Sequence, residues 1–237
     1  MSRRRGSGWD IKINNRMAVL ITGASGGLGA SVVEQFLSAG AQVTGVVRSL
    51  SEGRVKASRL RWIAADLTLA AECVGVVTEA EPVDVLVHLM GGFAGGKLVQ
   101  ATDDETWDRM MNLNLRSAFY MIRAVLPGMI ERKRGRIVAV GSRTGAEPAA
   151  TLSAYGASKA ALISLIQTVA LEEKRNGITA NIVLPSVIDT PANRSAMPSA
   201  DYSNWVRPES IAKLLAWLAS EEASDVNGAA IPIYGRA

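Results

Sequence analysis

Short apolar runs rich in β-branched residues alternate with longer segments of helical character along this chain, and that alternation limits its fold more than any other feature. The runs are Met17–Ile21, Gln42–Val47, Arg61–Ala64, Val83–Leu89, Arg136–Val140, Thr179–Leu184 and Ala230–Ile233. Between them lie helical segments near Gly27–Ala39, Leu69–Ala80, Asp104–Glu131, Ser153–Lys174 and Pro208–Ser220. Strands apolar along their whole length need cover on both faces, and a helix after each strand supplies it. The pattern predicts an α/β doubly wound fold: a seven-stranded, mostly parallel sheet with helices on both faces and right-handed crossovers. No linker interrupts it, so residues 16–237 read as a single domain. A hydrophobic content of 48% against 20% charged residues is ample for a core of that size.

Residues 1–15 read as a flexible arm. Arg3, Arg4 and Arg5 carry much of the net charge of +4, and Gly6, Ser7 and Gly8 follow them. A solvated terminus explains these residues better than a nucleic-acid site does. No apolar run follows the arginines, which argues against a signal peptide. No stretch offers the ~20 consecutive apolar residues of a membrane span. Cys73 is the only cysteine, so no intrachain disulfide forms, which suits a reducing cytoplasm. No metal site, membrane contact or nucleic-acid partner is expected.

The first strand ends in Thr22-Gly23-Ala24-Ser25-Gly26-Gly27-Leu28-Gly29 and passes straight into a helix. Glycines there let the backbone turn tightly and approach a pyrophosphate, whose charge meets the helix N-terminus. The spacing Gly-x-x-x-Gly-x-Gly is one residue wider than the common dinucleotide fingerprint, but strand before and helix after supply the context it needs. The second strand ends Val47-Arg48-Ser49 without a carboxylate. A carboxylate there suits the 2′-hydroxyl of NAD, whereas Arg48, with Ser49 and Ser25 as further donors, suits the 2′-phosphate of NADP. Asp66, before Leu67, could accept from an adenine amino group or cap the next helix.

Ser142, Tyr155 and Lys159 carry the chemistry. Tyr155 and Lys159 stand four residues apart on one helical segment, hence on one face. A phenol titrates near 10, and a fixed ammonium beside it favours the phenolate. Such a pair exchanges protons with a carbonyl or alcohol oxygen, which a serine hydroxyl would hold.

With Gly23, Gly27, Gly29, Asp66, Asn114, Ser142, Tyr155 and Lys159 in order, the chain from about Met17 onward resembles the short-chain dehydrogenase/reductase family of Rossmann type. The resemblance implies the following roles. Tyr155 is the general acid in reduction, Lys159 lowers its pKa and binds the nicotinamide ribose, and Ser142 holds the substrate oxygen. Asn114 anchors a water behind the lysine. Gly26, Leu28, Leu67, Met90 and Gly91 complete the cofactor cleft, and Pro185, Ile188 and Thr190 hold the nicotinamide carboxamide. The family pairs the helices near Trp107–Ile130 and from Ser153 between subunits, so a homodimer or homotetramer is expected.

The chain departs from the family after the fourth strand, where His88-Leu89-Met90-Gly91 replaces Asn-Asn-Ala-Gly. His88 is the only histidine, and a structural role is expected of it. Residues Asp189–Arg207 read as a short lid over the active site. Met197 and Trp205 from it, with Phe93 and Thr144, are the expected substrate contacts. Gly91–Gly96 and parts of this lid are similar to quinonoid dihydropteridine reductase, a branch of the same family that typically lacks the serine and uses NADH. The leading expectation is an NADP-dependent reductase of a carbonyl or secondary alcohol, 3-oxoacyl carrier-protein reductase-like or acting on a small ketone. A pterin reductase and a dinucleotide-binding sensor without catalysis are the alternatives.

Overall fold

The computed structural model describes residues 17–52 and 56–236, so the expectation for the arm at 1–15 lies outside the described residues. The strands are β1 (Ala18–Thr22), β2 (Gln42–Val47), β3 (Leu60–Ala64), β4 (Val85–His88), β5 (Gly135–Val140), β6 (Ile178–Pro185) and β7 (Ala230–Ile233). They form one sheet in the order β3-β2-β1-β4-β5-β6-β7. Every neighbouring pair is parallel. The chain builds outward from β1 in one direction and then, through β4, in the other. The order therefore reverses between β1 and β4, and a crevice opens there at the carboxyl ends of the strands.

Successive strand residues point to opposite faces, and two cores result. Val19 and Ile21 of β1 join Val85 and Val87 of β4 on the face covered by α1 (Gly29–Ser38) and α8 (Pro208–Leu218). Leu20, Leu86 and Ile137 face the other way, under α2 (Ala70–Ala80), α4 (Ser117–Glu131) and α6 (Ser153–Glu173). Both faces being buried is why the central strands are mostly apolar, whereas the edge strand β3, which includes Arg61, is largely open. The segment Ser153–Asn176 is long and apolar enough, by length and composition alone, to cross a membrane. Here it is a core helix, with Leu162, Ile166 and Val169 buried in the second of these cores.

Three details depart from the expectations. The helix expected over Asp104–Glu131 is broken into α3 (Asp104–Met111), a π-helical turn at Asn112–Arg116, and α4. Asp103 caps α3, accepting from the Thr106 amide at 2.7 Å. A π turn accommodates one extra residue, and such turns cluster at functional sites; this one leaves Asn114 fully buried. Short helices α5 (Arg143–Ala146) and α7 (Pro191–Ala196) also appear, one directly after Ser142 and one inside the lid.

Candidate active site

The glycine loop is shaped by contacts a side chain would block. Gly23 has φ +65°, and a Cβ there would lie 2.9 Å from the Met90 amide nitrogen, so the loop presses against the chain leaving β4. At Gly29 a Cβ would stand 2.3 Å from the Ala24 carbonyl oxygen, which sets how closely α1 follows β1. α1 then starts at Gly29 with neither a capping side chain nor an acidic residue in its first turn. Its dipole favours an anion there. An open loop, an uncapped helix start and a position at the strand-order reversal fit the pyrophosphate of a dinucleotide.

The remaining cofactor candidates surround that loop. The Ala24 amide donates to the Val46 carbonyl at 3.3 Å, which brings Ser25 to the end of β2, where Arg48 and Ser49 are exposed. Asp66 does not cap α2, whose N-cap is Leu69. Its carboxylate instead accepts from the Thr68 amide at 2.9 Å and the Thr68 hydroxyl at 2.7 Å. Those bonds hold its pKa below the usual value. Leu67 is buried in the core. On the other side, Thr190 packs on the loop: a Cβ on Gly27 would lie 2.9 Å from Thr190 Cγ2. Ile188, next to Pro185 at the end of β6, pairs with Val206 and closes the base of the lid.

Ser142, Tyr155 and Lys159 meet at the carboxyl end of β5. Ser142 is buried, its Oγ accepts from the Thr144 amide at 3.2 Å, and its hydroxyl hydrogen-bonds Tyr155. Burial raises the Tyr155 pKa above its ordinary value, and the Ser142 bond opposes this only in part. The expected lowering by Lys159 is not what governs it. The lysine is itself buried, donates to the Val140 carbonyl at 3.1 Å, and is pushed down to about 8. Desolvation disfavours the charged form of both groups: it keeps the phenol protonated and makes the ammonium readier to lose a proton.

Asn114 stands behind this pair. Its Oδ1 accepts from the Gly92 amide at 2.8 Å, and its Nδ2 donates to the Gly92 carbonyl at 3.1 Å and to Ser158 Oγ at 2.9 Å. Ser158 then donates to the Tyr155 carbonyl at 2.8 Å. A Cβ on Gly91 would touch both Asn114 Oδ1, at 2.7 Å, and Lys159 Nζ, at 3.2 Å. Ser158 and Gly92 were not among the expected site residues, although Ser158 lies between Tyr155 and Lys159 in sequence. His88 is fully buried, and its two ring nitrogens face Thr22 Oγ1 and Ser117 Oγ.

The expected substrate residues divide into two groups. Phe93 is exposed and meets Tyr155 edge to face, with ring centroids 5.0 Å apart. Thr144 lies beside Ser142 and within 3.4 Å of where a Cβ on Gly156 would stand. Met197 ends α7, and Trp205 stacks on Tyr202 at 4.7 Å within the lid. The lid is held by its own side chains: Arg194 forms a two-pronged pair with Asp189, at 2.6 and 2.8 Å, and covers the Tyr202 ring.

Comparison with known proteins agrees with this geometry. The family described as short chain dehydrogenase matches residues 17–201. The chain is 31% identical to a short-chain dehydrogenase/reductase, olcF, of Penicillium canescens, over 91% of this chain and 94% of that one. It is 30% identical to the 3-oxoacyl-[acyl-carrier-protein] reductase FabG of Vibrio cholerae, over 91% and 95% of the two chains. A crystal structure of a short-chain oxidoreductase from Burkholderia thailandensis superposes with a TM-score of 0.85, at 32% identity, over 92% of this chain and 91% of that one. The chain therefore belongs to the short-chain dehydrogenase/reductase family, NAD(P)-dependent oxidoreductases that act on carbonyl and alcohol substrates.

Proposed function

We propose that this enzyme works as an NADPH-dependent reductase of a small ketone or 3-oxoacyl compound, with Tyr155 as the acid. The observation that carries this reading is the half-buried, serine-bonded phenol beside a buried lysine whose pKa is pushed down to about 8. When bound, the nicotinamide dinucleotide supplies the hydride that reaches the carbonyl carbon. The chain's residues handle the oxygen. Ser142 and Tyr155 donate to it, Tyr155 gives up its proton as negative charge develops there, and Lys159 returns a proton to the phenolate. A raised phenol pKa keeps the acid loaded at neutral pH, which favours the reductive direction. Phe93, over Tyr155, offers an apolar wall to the substrate, and a cytoplasmic enzyme would find NADPH available.

Arg48 supports the choice of NADPH, since a guanidinium at the end of β2 matches a phosphate in charge and shape. Arg48→Glu is expected to lower kcat/KM with NADPH by about 10- to 100-fold, the size of a lost charge-assisted bond, and to leave NADH-linked activity nearly unchanged. Equal losses with both cofactors in steady-state kinetics would assign Arg48 to the fold instead.

Exposed Trp107 on α3 and Phe119 on α4, with Leu171 on α6, support a homodimer or homotetramer built through these helices. Light scattering is expected to give two or four times 25.1 kDa, and a mass of one chain at micromolar concentration contradicts this.

A further inference from the structure

We propose that His88 is a positioning residue: as the neutral tautomer protonated at Nε2, it ties the end of β1 to the π turn and thereby fixes Asn114 behind Lys159. The catalytic part of this inference rests on the reductase reading above.

The hydrogen bonds set the direction of each proton. Thr22 Oγ1 accepts from the Met90 amide at 3.3 Å and from the Leu89 amide at 3.2 Å, the latter proton being shared with the Thr22 carbonyl at 3.2 Å. A hydroxyl has two lone pairs and one proton, so what remains for the third neighbour, His88 Nδ1 at 3.0 Å, is the proton. Nδ1 is thus an acceptor and the ring proton sits on Nε2. Nε2–H faces Ser117 Oγ at 3.4 Å, a longer contact, and Ser117 donates its own proton to the Leu113 carbonyl at 2.8 Å. Leu113 and Asn114 are neighbours in the π turn. Asn114 clamps Gly92 and bonds Ser158, which holds the Tyr155 carbonyl. One directed chain thus runs from the strand that feeds the glycine loop to the turn that places Asn114.

A neutral ring is what this chain requires. Complete burial, and then the charge of Lys159, hold the His88 pKa down at about 3. An imidazolium would present two donors, and Nδ1–H would point at an oxygen whose lone pairs are taken.

His88 is the only histidine in the sequence, so its imidazole nitrogens can be read without ambiguity by NMR on the untagged protein. The expected spectrum is the neutral Nε2–H tautomer, unchanged from pH 5 to 8. An Nδ1–H tautomer, or titration in that range, overturns the proposal. His88→Asn keeps an acceptor for the Thr22 hydroxyl but is too short to reach Ser117, and Ser117→Ala removes the other partner. Both are expected to speed exchange of the Gly92 amide by about fivefold or more, the size of one ordinary hydrogen bond. Each should lower kcat by about fivefold, with no further loss in the double variant and with cofactor Kd within about twofold. Unchanged Gly92 exchange, or additive losses in kcat, contradicts the coupling. Lower melting temperatures alone, with kcat intact, would reduce His88 to a packing role. If the wild-type enzyme reduces no carbonyl, the reductase reading fails, while the tautomer and the Gly92 exchange still decide whether His88 places the turn.

Discussion

Tyr155→Phe is expected to lower kcat for carbonyl reduction by about two to four orders of magnitude, the usual contribution of a positioned general acid. Phenylalanine keeps the ring, its burial and the edge-to-face contact with Phe93, and removes only the hydroxyl that bonds Ser142. Cofactor Kd, followed by quenching of protein fluorescence, should therefore change by no more than about fivefold. The loss should appear in kcat and kcat/KM together, since the deleted interaction is made in the transition state. A variant that keeps a tenth or more of the wild-type rate would remove Tyr155 from the chemistry.

Lys159→Met is expected to abolish most activity, by about a hundredfold or more, and at the same time to make the cofactor-free protein more stable near neutral pH. The lysine pKa is held at about 8, against an ordinary 10.5, by burial. That interval corresponds to at most about 3 kcal/mol of destabilisation, part of which the Val140 bond offsets. The sign follows from proton binding. Below pH 8 the lysine is charged in both states and the folded state bears the full desolvation cost. Between about 8 and 10.5 the unfolded chain binds more protons than the folded one, so wild-type stability rises with pH. Above 10.5 the cost is gone. Denaturant unfolding of the two proteins should show the variant's advantage at pH 7 shrinking as pH rises through that window. An advantage independent of pH, or a less stable variant at pH 7, contradicts this account of the lysine. Methionine fills a similar volume with a flexible apolar chain, so packing should be nearly conserved.

The sheet was legible because its strands are buried on both faces. Val85–His88 and Ile178–Pro185 carry no residue open to solvent, and such predominantly apolar runs stand out in sequence. The glycine loop was legible for a related reason: Gly23 and Gly29 occupy positions where a Cβ meets backbone, so their spacing records the fold. The π turn was not legible. Asn112-Leu113-Asn114-Leu115-Arg116 contains no glycine or proline, and Asn114 is held there by distant partners, Gly92 and Ser158. Short helices α5 and α7 were missed because each is about one turn long and set by a cap, Ser142 or Thr190, rather than by periodicity.

Within the site, spacing placed Tyr155 and Lys159 on one helix but carries nothing of the desolvation that pushes both groups toward their neutral forms. Lys159 is buried and Tyr155 half-buried, and desolvation is the largest influence on both pKa values. Burial is a property of what covers a helix, here Gly145 of α5 and Gly91 against Lys159 and Phe93 against Tyr155, and no local pattern in residues 153–173 carries it. The same holds for Asp66. Its residue type suits a helix cap, but the turn at Thr68 shifts the start of α2 past its reach.

The most direct test of the central claim, that a half-buried and protonated Tyr155 delivers the proton, is the initial rate of NADPH oxidation with a panel of ketones and 3-oxoacyl thioesters, plus quinonoid dihydropterin. It would be measured from pH 6 to 10 for the wild type, Tyr155→Phe and Ser142→Ala. The account predicts turnover of at least one carbonyl compound, highest near neutral pH and falling at alkaline pH, lost by about a hundredfold or more in Tyr155→Phe while the cofactor still binds. Equal rates in wild type and Tyr155→Phe, or cofactor binding without turnover of any carbonyl, would contradict it. Pterin reduction that survives Ser142→Ala would move the substrate to the pterin class.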